Sequence, residues 1–397
     1  MPKFICKARN WEGKIITQEI DAENKEAVVS KLRERGYFVT NIKEKPKEFV
    51  LFQRKVANQE IAIFARQFAT MIGAGVPLVR CLNILSDQVE NPRMQEIIAQ
   101  IRSDVEAGMT FSKSLEKHPK VFSNLFVNLV KAGEAGGVLD EILDRLANYL
   151  EASEQLRQKV KGALTYPVVV MTIAFAVVVF LVTFVLPSFK NIFEGQGELP
   201  LPTRVLLASS EFMQSYFPMI LIGMVIVCFI IKRFLATKQG IRFRDSNALR
   251  VPKLGSMLRK VAVAKFTRTL GTLIASGVPI LQALEVTAAT AGNVVVADAV
   301  HKTRISIREG ESIAEPLRSS RVFPPMVVQM IAVGEETGEL DTMLTKIADF
   351  YDSEVDTAIK ALTSIIEPVV IVIMGIIIGG IVMAIFLPML SLVNQTG

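Results

Sequence analysis

The sequence is poor in the residues that carry chemistry. It has two histidines, His118 and His301, three cysteines, Cys6, Cys81 and Cys228, and one tryptophan, Trp11. Neither histidine stands in a metal or triad spacing, and both lie in polar helix-end or helix-face contexts, which reads as solvated surface histidine. The cysteines are odd in number and have no metal-ligand spacing, so they read as reduced thiols, mostly filling core. No Gly-x-x-x-x-Gly-Lys-Ser/Thr stretch occurs, which excludes a recognisable nucleotide-hydrolysing P-loop. The first fifty residues contain no apolar run of the signal-peptide kind, so membrane insertion is expected to use an internal segment. The long apolar runs, in turn, lack Asp, Glu, Lys, Arg and His in their interiors. That argues against a proton relay, an ion-coupled transporter or channel, and an intramembrane aspartyl protease. The chain is therefore expected to have no catalytic residue, no cofactor and no metal site.

Apolar residues are what the chain has in quantity. Half of it is hydrophobic, yet 21% is charged, with a formal net charge of +6. That balance is too apolar for an ordinary soluble chain and too charged for one wholly embedded in lipid.

The chain is also written twice. Phe64, Arg66, Ile72, Gly75-Val76-Pro77 and Leu82 align with Phe266, Arg268, Ile274, Gly277-Val278-Pro279 and Leu284. After the loss of one residue, Val121-Phe122, Gly133-Glu134, Gly137, Leu139-Asp140, Leu143, Lys159, Pro167 and Pro187 align with Val322-Phe323, Gly334-Glu335, Gly338, Leu340-Asp341, Leu344, Lys360, Pro368 and Pro388. So many matches in one register set the domain boundaries of a tandem duplication.

The expected fold class is mainly α: two duplicated cytoplasmic helical bundles of about six helices each, three transmembrane helices and a small N-terminal α+β module. That module occupies residues 1–45. Phe4–Ala8, Lys14–Ile20 and Tyr37–Ile42 are strand candidates, Asn10 to Gly13 a turn, and Glu23–Arg35 a helix stopped by Gly36. Trp11 beside the turn reads as a packing anchor, and Pro46 with its lysines as a linker. Residues 56–164 form the first bundle, with breaks near Gly73 to Pro77, Asn91-Pro92, Gly108 to Thr110, His118-Pro119 and Gly133 to Gly137. Ile61, Phe64, Ala65 and Phe68 make one apolar stripe, and Leu139, Ile142, Leu143 and Leu146 another. Residues 261–365 repeat the bundle.

Val168–Leu186 has a helical length of about 28 Å, close to the ~30 Å hydrocarbon slab. Val369–Leu387 passes the same test. The shorter run Phe217–Ile231 spans if Lys232 and Arg233 snorkel and Tyr216 sits at the interface. These give transmembrane helices at 165–187, 217–235 and 366–388. The basic residues stand before the first run and after the middle one. The positive-inside rule then puts both bundles and a basic linker, 236–260, in the cytoplasm. The loop 188–216 and the tail 389–397 fall outside.

The most distinctive polar residues are Glu134 and Glu335 in the Gly-Glu-x-x-Gly turns. Gly133 and Gly334 are expected to end one helix while each glutamate complements the N-terminus of the next; contact with a partner or cation fits as well. Arg66 and Arg268 are expected to pair with these glutamates across each bundle. Gly75, Pro77, Gly277 and Pro279 mark turns at helix starts, and Gly137 and Gly338 close the acidic turns. Gly375 and Gly379 make a Gly-x-x-x-Gly face for packing within the chain or between chains. The run from Lys232 to Lys260 suits anionic headgroups or an acidic soluble partner; with little aromatic interleaving it is a poor match to nucleic acid.

Taken together, the chain resembles the platform-protein family of type IV pilus assembly and type II secretion, called PilC and GspF respectively. The signatures are Phe64-Ala65-Arg66-Gln67, Ala74-Gly75-Val76-Pro77-Leu78, Ala132-Gly133-Glu134 with Gly137, Tyr166-Pro167, Leu186-Pro187-Ser188-Phe189 and Leu199-Pro200 with Thr203. In the second copy they are Ser276-Gly277-Val278-Pro279, Gly334-Glu335 with Gly338, and Glu367-Pro368. Lys31 to Gly36 lean toward the pilus branch. The resemblance implies a non-catalytic protein of the cytoplasmic membrane that forms at least dimers. Implied partners are a hexameric assembly ATPase, a retraction ATPase, pilins or pseudopilins, and other inner-membrane assembly proteins.

Overall fold

A computed structural model describes residues 3–9, 15–21, 29–30, 33, 37–44, 55–188 and 201–396, and the chain divides into two compact units, Met1–Lys55 and Val56–Gly397. In the first unit, β1 (Lys3–Arg9) lies between β2 (Ile15–Asp21) and β3 (Phe38–Glu44), antiparallel to both. Cys6 stands opposite Gln18 and Ile42, and its side chain is buried. Of the expected helix Glu23–Arg35, the described residues 29, 30 and 33 are helical. Trp11 with its turn, Gly36 and the linker around Pro46 lie outside the described residues.

The second unit opens with the first copy of the repeat. Its helices are α1 (Asn58–Gly73), α2 (Leu78–Gln88), α3 (Pro92–Glu106), α4 (Phe111–Glu116), α5 (Asn124–Gly136) and α6 (Leu139–Phe180). Local chemistry sets the starts. Asn91 caps α3 by accepting from Arg93 N at 3.1 Å, with Pro92 at the first helical position, where its missing N–H costs nothing. Thr110 and Ser123 cap α4 and α5. The apolar faces converge on Phe64, Phe68, Phe111, Phe122 and Phe126, all buried, with successive ring centroids 4.9 to 6.0 Å apart.

After α6 come α7 (Leu201–Leu235) and α8 (Lys238–Ala248). The second copy then runs as α9 (Leu254–Ala275), α10 (Ile280–Thr290), α11 (Val294–Arg308), α12 (Ala314–Ser319), α13 (Pro325–Thr337) and α14 (Leu340–Thr396). The basic stretch 236–260 is largely helical. Asp245, 5% exposed, ties α8 to the second bundle by accepting from Val294 N at 2.9 Å while pairing with Arg244 at 2.8 Å.

Each bundle's last helix continues into an apolar stretch. The first runs through Pro167 and a π-helical turn, Leu181–Val185, to Ser188, 50 residues in all; the second is 48 residues to Leu387. At 1.5 Å per residue each is about 70–75 Å long, more than twice a bilayer core. Two helices are thus long and apolar enough to cross a membrane, and three if the bent halves of α7, Thr203–Met219 and Ile222–Leu235, make one span. Polar side chains in this region find backbone carbonyls. Ser210 Oγ donates to Val182 O at 2.6 Å and Gln214 Nε2 to Thr183 O at 2.9 Å, both within the π turn, where the helical ladder is shifted. Thr203 Oγ1 donates to Ala384 O at 2.7 Å, joining α7 to α14.

Candidate functional site

Two polar ties recur in both copies, and neither is the one expected. Helix α5 does not stop at Gly133. It runs on to Gly136 and ends at Gly137, whose φ of +69° is a left-handed cap that a side chain would strain. Gly338, at φ +77°, ends α13 in the same way. Gly133 and Gly334 serve a different end, the close approach of successive helices. A Cβ on Gly133 would lie 3.2 Å from Leu139 Cα, and one on Gly334 would lie 3.0 Å from Leu340 Cα.

Glu134 caps an earlier helix rather than the next one. Its two carboxylate oxygens accept from the N–H groups of Phe111 at 2.6 Å and Ser112 at 3.0 Å, at the start of α4. Glu335 accepts from Ile313 N at 2.9 and 3.0 Å, at the start of α12. The physics is that of a carboxylate at the positive end of a helix, but the helix lies more than twenty residues upstream.

With the glutamates so occupied, the arginines pair elsewhere. Arg66 in α1 grips α6: Nε and Nη2 each lie 2.7 Å from a Glu151 oxygen, and Nη1 lies 2.8 Å from Asp144. The fork also donates from Nη2 to Asn148 Oδ1 at 2.5 Å. Arg268 in α9 grips α14 through Asp349 at 2.9 Å and Asp352 at 2.5 Å. Glu151 and Asp352 are equivalent positions, as are Asn148 and Asp349. The bidentate hydrogen bond to Arg66 holds the Glu151 carboxyl below the usual carboxylate range, and Glu151 in turn raises the guanidinium. For Arg268, burial pushes downward but Asp349 and Asp352 outweigh it. Sequence reasoning singled out the arginines and missed their partners. The usable signal was the acidic residue at matching positions of the two long helices.

The two copies pack on each other through unlike surfaces. The first copy offers α5 and α6, and the second offers α9, α10 and α14. Tyr149 OH lies 3.1 Å from Thr269 Oγ1, Gln282 Nε2 donates to Asn128 Oδ1 at 2.5 Å, and Lys159 meets Asp356 at 2.7 Å. Burial here raises the Tyr149 phenol. Burial also lowers the ammonium of Lys265, helped by nearby Arg157.

The remaining candidates occupy turns, helix ends and one open helix face. Gly75 and Gly277 lie in the turns before α2 and α10, and Pro77 and Pro279 are the residues that precede those helices' first turns. A Cβ at Gly375 or Gly379 would meet nothing within 4 Å, so this face of α14 packs against no other part of the described chain. His301 is exposed, but His118 is not a solvated histidine. Its carbonyl accepts from Val121 N and Phe122 N at 3.0 Å, and the residue is half-buried. Nε2 is buried without a hydrogen-bond partner. Burial lowers its pKa, against the pull of Asp104 and with help from Lys117. Among the described residues no group of three or more His, Cys, Asp or Glu is arranged to hold a metal.

A duplicated bundle on a long membrane-length helix, tied twice by the same arginine and glutamate, is a pattern open to comparison with known proteins. The family model described as type II secretion system (T2SS), protein F, matches residues 64–187 and again 266–388. The chain belongs to the type II secretion system protein F family. Each match covers one bundle with its long apolar helix, and the model of that family's N-terminal domain matches residues 1–43. Among curated relatives, type IV pilus assembly protein PilC of Myxococcus xanthus is 46% identical over 98% of this chain and 95% of its own length. PilC of Thermus thermophilus is 45% identical over 99% of both chains. Type II secretion system protein F of Vibrio cholerae is 34% identical, again over 99% of both.

Proposed function

We propose that this member of the protein F family is an inner-membrane platform of type IV pilus assembly. PilC of Myxococcus xanthus and PilC of Thermus thermophilus, at 46% and 45% identity, are more similar to it than protein F of Vibrio cholerae at 34%, and this supports the pilus reading over export. In this reading 56–164 and 261–365 are cytoplasmic bundles, and 165–187, 217–235 and 366–388 cross the bilayer. The basic segment 236–260 stays inside, while 188–216 and 389–397 lie on the outer side, with Thr203, Ser210 and Gln214 in the helical part of the loop reaching back to the outer ends of the two long apolar stretches. The N-terminal 1–45 is a cytoplasmic α+β module. A hexameric assembly ATPase, and in retraction a second one, pushes on the bundles, and pilins are moved from the bilayer into the filament. The chain performs no chemistry itself, works as at least a dimer, and leaves Gly375 and Gly379 open to a neighbouring membrane helix.

One observation carries this reading: each bundle's closing helix passes without interruption into its apolar stretch. A helix is stiff along its axis, so displacement of a bundle reaches the membrane without any bond being made or broken. The arginine ties fix each bundle to its own rod. The test is Ala163→Pro in cells lacking the natural copy, since proline in a helix interior breaks or kinks it. Surface pili are expected to be lost while the protein accumulates normally and still co-purifies with the ATPase. Normal piliation by that variant would sink the lever. The secretion reading is favoured instead if pili are unchanged on deletion of the gene while a secreted protein is retained.

A further inference from the structure

The contact between the two copies is heterologous: α6 and α14 are equivalent helices, but Lys159 meets Asp356, the equivalent of Gln155 and not of Lys159 itself, while α5 and α6 meet α10 and α9, which are not their equivalents. A duplicated chain that uses unlike faces must leave one of each unused. From this we infer that the unused pair is a chain-to-chain docking surface, and that its occupant is a second copy of this chain. The inference rests on the platform reading, in which both bundles lie on one side of the membrane.

The repeat register says which residues would meet. In the first copy, the positions equivalent to Thr269, Gln282 and Asp356 are Gln67, Arg80 and Gln155. In the second copy, the positions equivalent to Asn128, Tyr149 and Lys159 are Gln329, Phe350 and Lys360. All six are exposed. The intrachain triad of contacts therefore translates to Phe350 on Gln67, Gln329 on Arg80 and Lys360 on Gln155. Each pair is chemically competent. An amide oxygen accepts from the guanidinium in one and from the ammonium in another. The ring in the third stands where Tyr149 anchors the first copy.

Two further features fit a partner on these faces. Phe350 is 47% exposed, whereas its equivalent Tyr149 lies against Thr269. Across the first bundle, Ile63 is 51% exposed and stands where the second bundle has the half-buried Lys265. It lines a cleft of about 240 Å³ together with Gln59, Arg66, Gln67, Glu154 and Gln158. An exposed apolar side chain in a polar-rimmed cleft on one end, and an exposed aromatic ring on the other, are complementary. Heterologous contacts close into a ring when the rotation allows and otherwise extend. The translated contact replaces the Lys159–Asp356 ion pair with a lysine–amide pair. It is therefore the weaker of the two, and forms reversibly in the plane of the membrane.

The test uses the full chain in membranes, with Cys228→Ser to remove the exposed native thiol; Cys6 and Cys81 are buried. Two differently tagged chains are co-expressed, one carrying Gln67→Cys and the other Phe350→Cys, and treated with a short bismaleimide. A covalent dimer bearing both tags is expected, with little or none from either cysteine alone. Gln155→Lys, which sets a like charge against Lys360, should reduce it several-fold. A parallel chain carries Asn128→Cys with Gln282→Cys and reports the intrachain contact. If that link forms and the mixed dimer does not, the docking surface is refuted while the platform reading stands. If the intrachain link also fails, the side-by-side arrangement of the bundles falls, and the inference falls with it. A dimer formed equally well by Phe350→Cys alone would mean a two-fold contact and would also refute it.

Discussion

The two copies share their ties but not their filling. Arg66 and Arg268, Glu134 and Glu335, and Gly133 and Gly334 join the same pairs of helices in both bundles, although Glu134 holds two backbone N–H groups where Glu335 holds one and Arg66 has one partner more, Asp144, than Arg268. The cores differ. Phe68, Phe111 and Phe126 of the first copy correspond to Leu270, Ile313 and Val327 of the second, and all six are buried. Ala69 corresponds to Gly271, where a Cβ would come within 3.1 Å of Leu344 Cβ, so the second bundle brings its first and last helices closer instead of filling space with rings. The difference teaches that the bundle is specified by its ties and helix ends. Its interior needs only to be apolar and of fitting volume.

That comparison can be broken most forcefully in the cores. Phe68→Ala should cost about 3–5 kcal/mol, the usual range for a buried phenylalanine, because its neighbours, the stacked Phe64 and the tilted Phe111, cannot close the gap. Hydrogen exchange on the detergent-solubilised chain should rise throughout the first bundle and much less in the second. Equal loosening of both would mean that the copies unfold as one unit. Next in size is Gly334→Ala, expected at about 2–3 kcal/mol because backbone of α14 blocks the new methyl. Gly133→Ala meets slightly longer contacts and should cost a little less, and a reversed order would discredit the geometry. Glu134→Ala should cost about 2 kcal/mol by stripping two backbone N–H groups of a charged acceptor. Protection should be lost at Phe111 and Ser112, not at the start of α6; loss at α6 instead would restore the expectation that the glutamate caps the next helix.

The smallest effect separates the copies by pH. The folded pKa of His118 lies below its ordinary value of about 6.5, so its contribution is complete above that value. It is lost as pH falls through the lower, folded pKa. The second copy has Ser320 at this position. Moving from pH 7 to pH 5 should therefore lower protection, taken relative to the intrinsic exchange rate at each pH, around residues 118–122 more than around 320–323. An equal response, or a response abolished by nothing done at His118, would remove the histidine from the account.

Much of the architecture is legible in the chain itself. The duplicated register, the helix breaks at Gly-Val-Pro and Asn-Pro, and the apolar stretches depend on local sequence, since caps, prolines and unbroken hydrophobicity act over a few residues. The arginine partners were not legible in either copy taken alone. Asp144 and Glu151 sit among many acidic residues on a long helix, and nothing local says which of them faces α1. The glutamates misled for the same reason. A carboxylate after a glycine looks like a cap for the next helix along the chain, and only the packed bundle brings the start of α4 under Glu134.

By itself, then, the sequence determined that the chain is a twofold repeat of helices ending in membrane-length apolar stretches, because periodicity and hydrophobicity are one-dimensional properties. Only the tertiary structure decided which charges meet, that Asp245 binds the basic segment to the second bundle, and that the copies join through unlike faces. Those outcomes depend on which side of each helix is turned toward which neighbour, and that choice is made by the packing of all the helices at once.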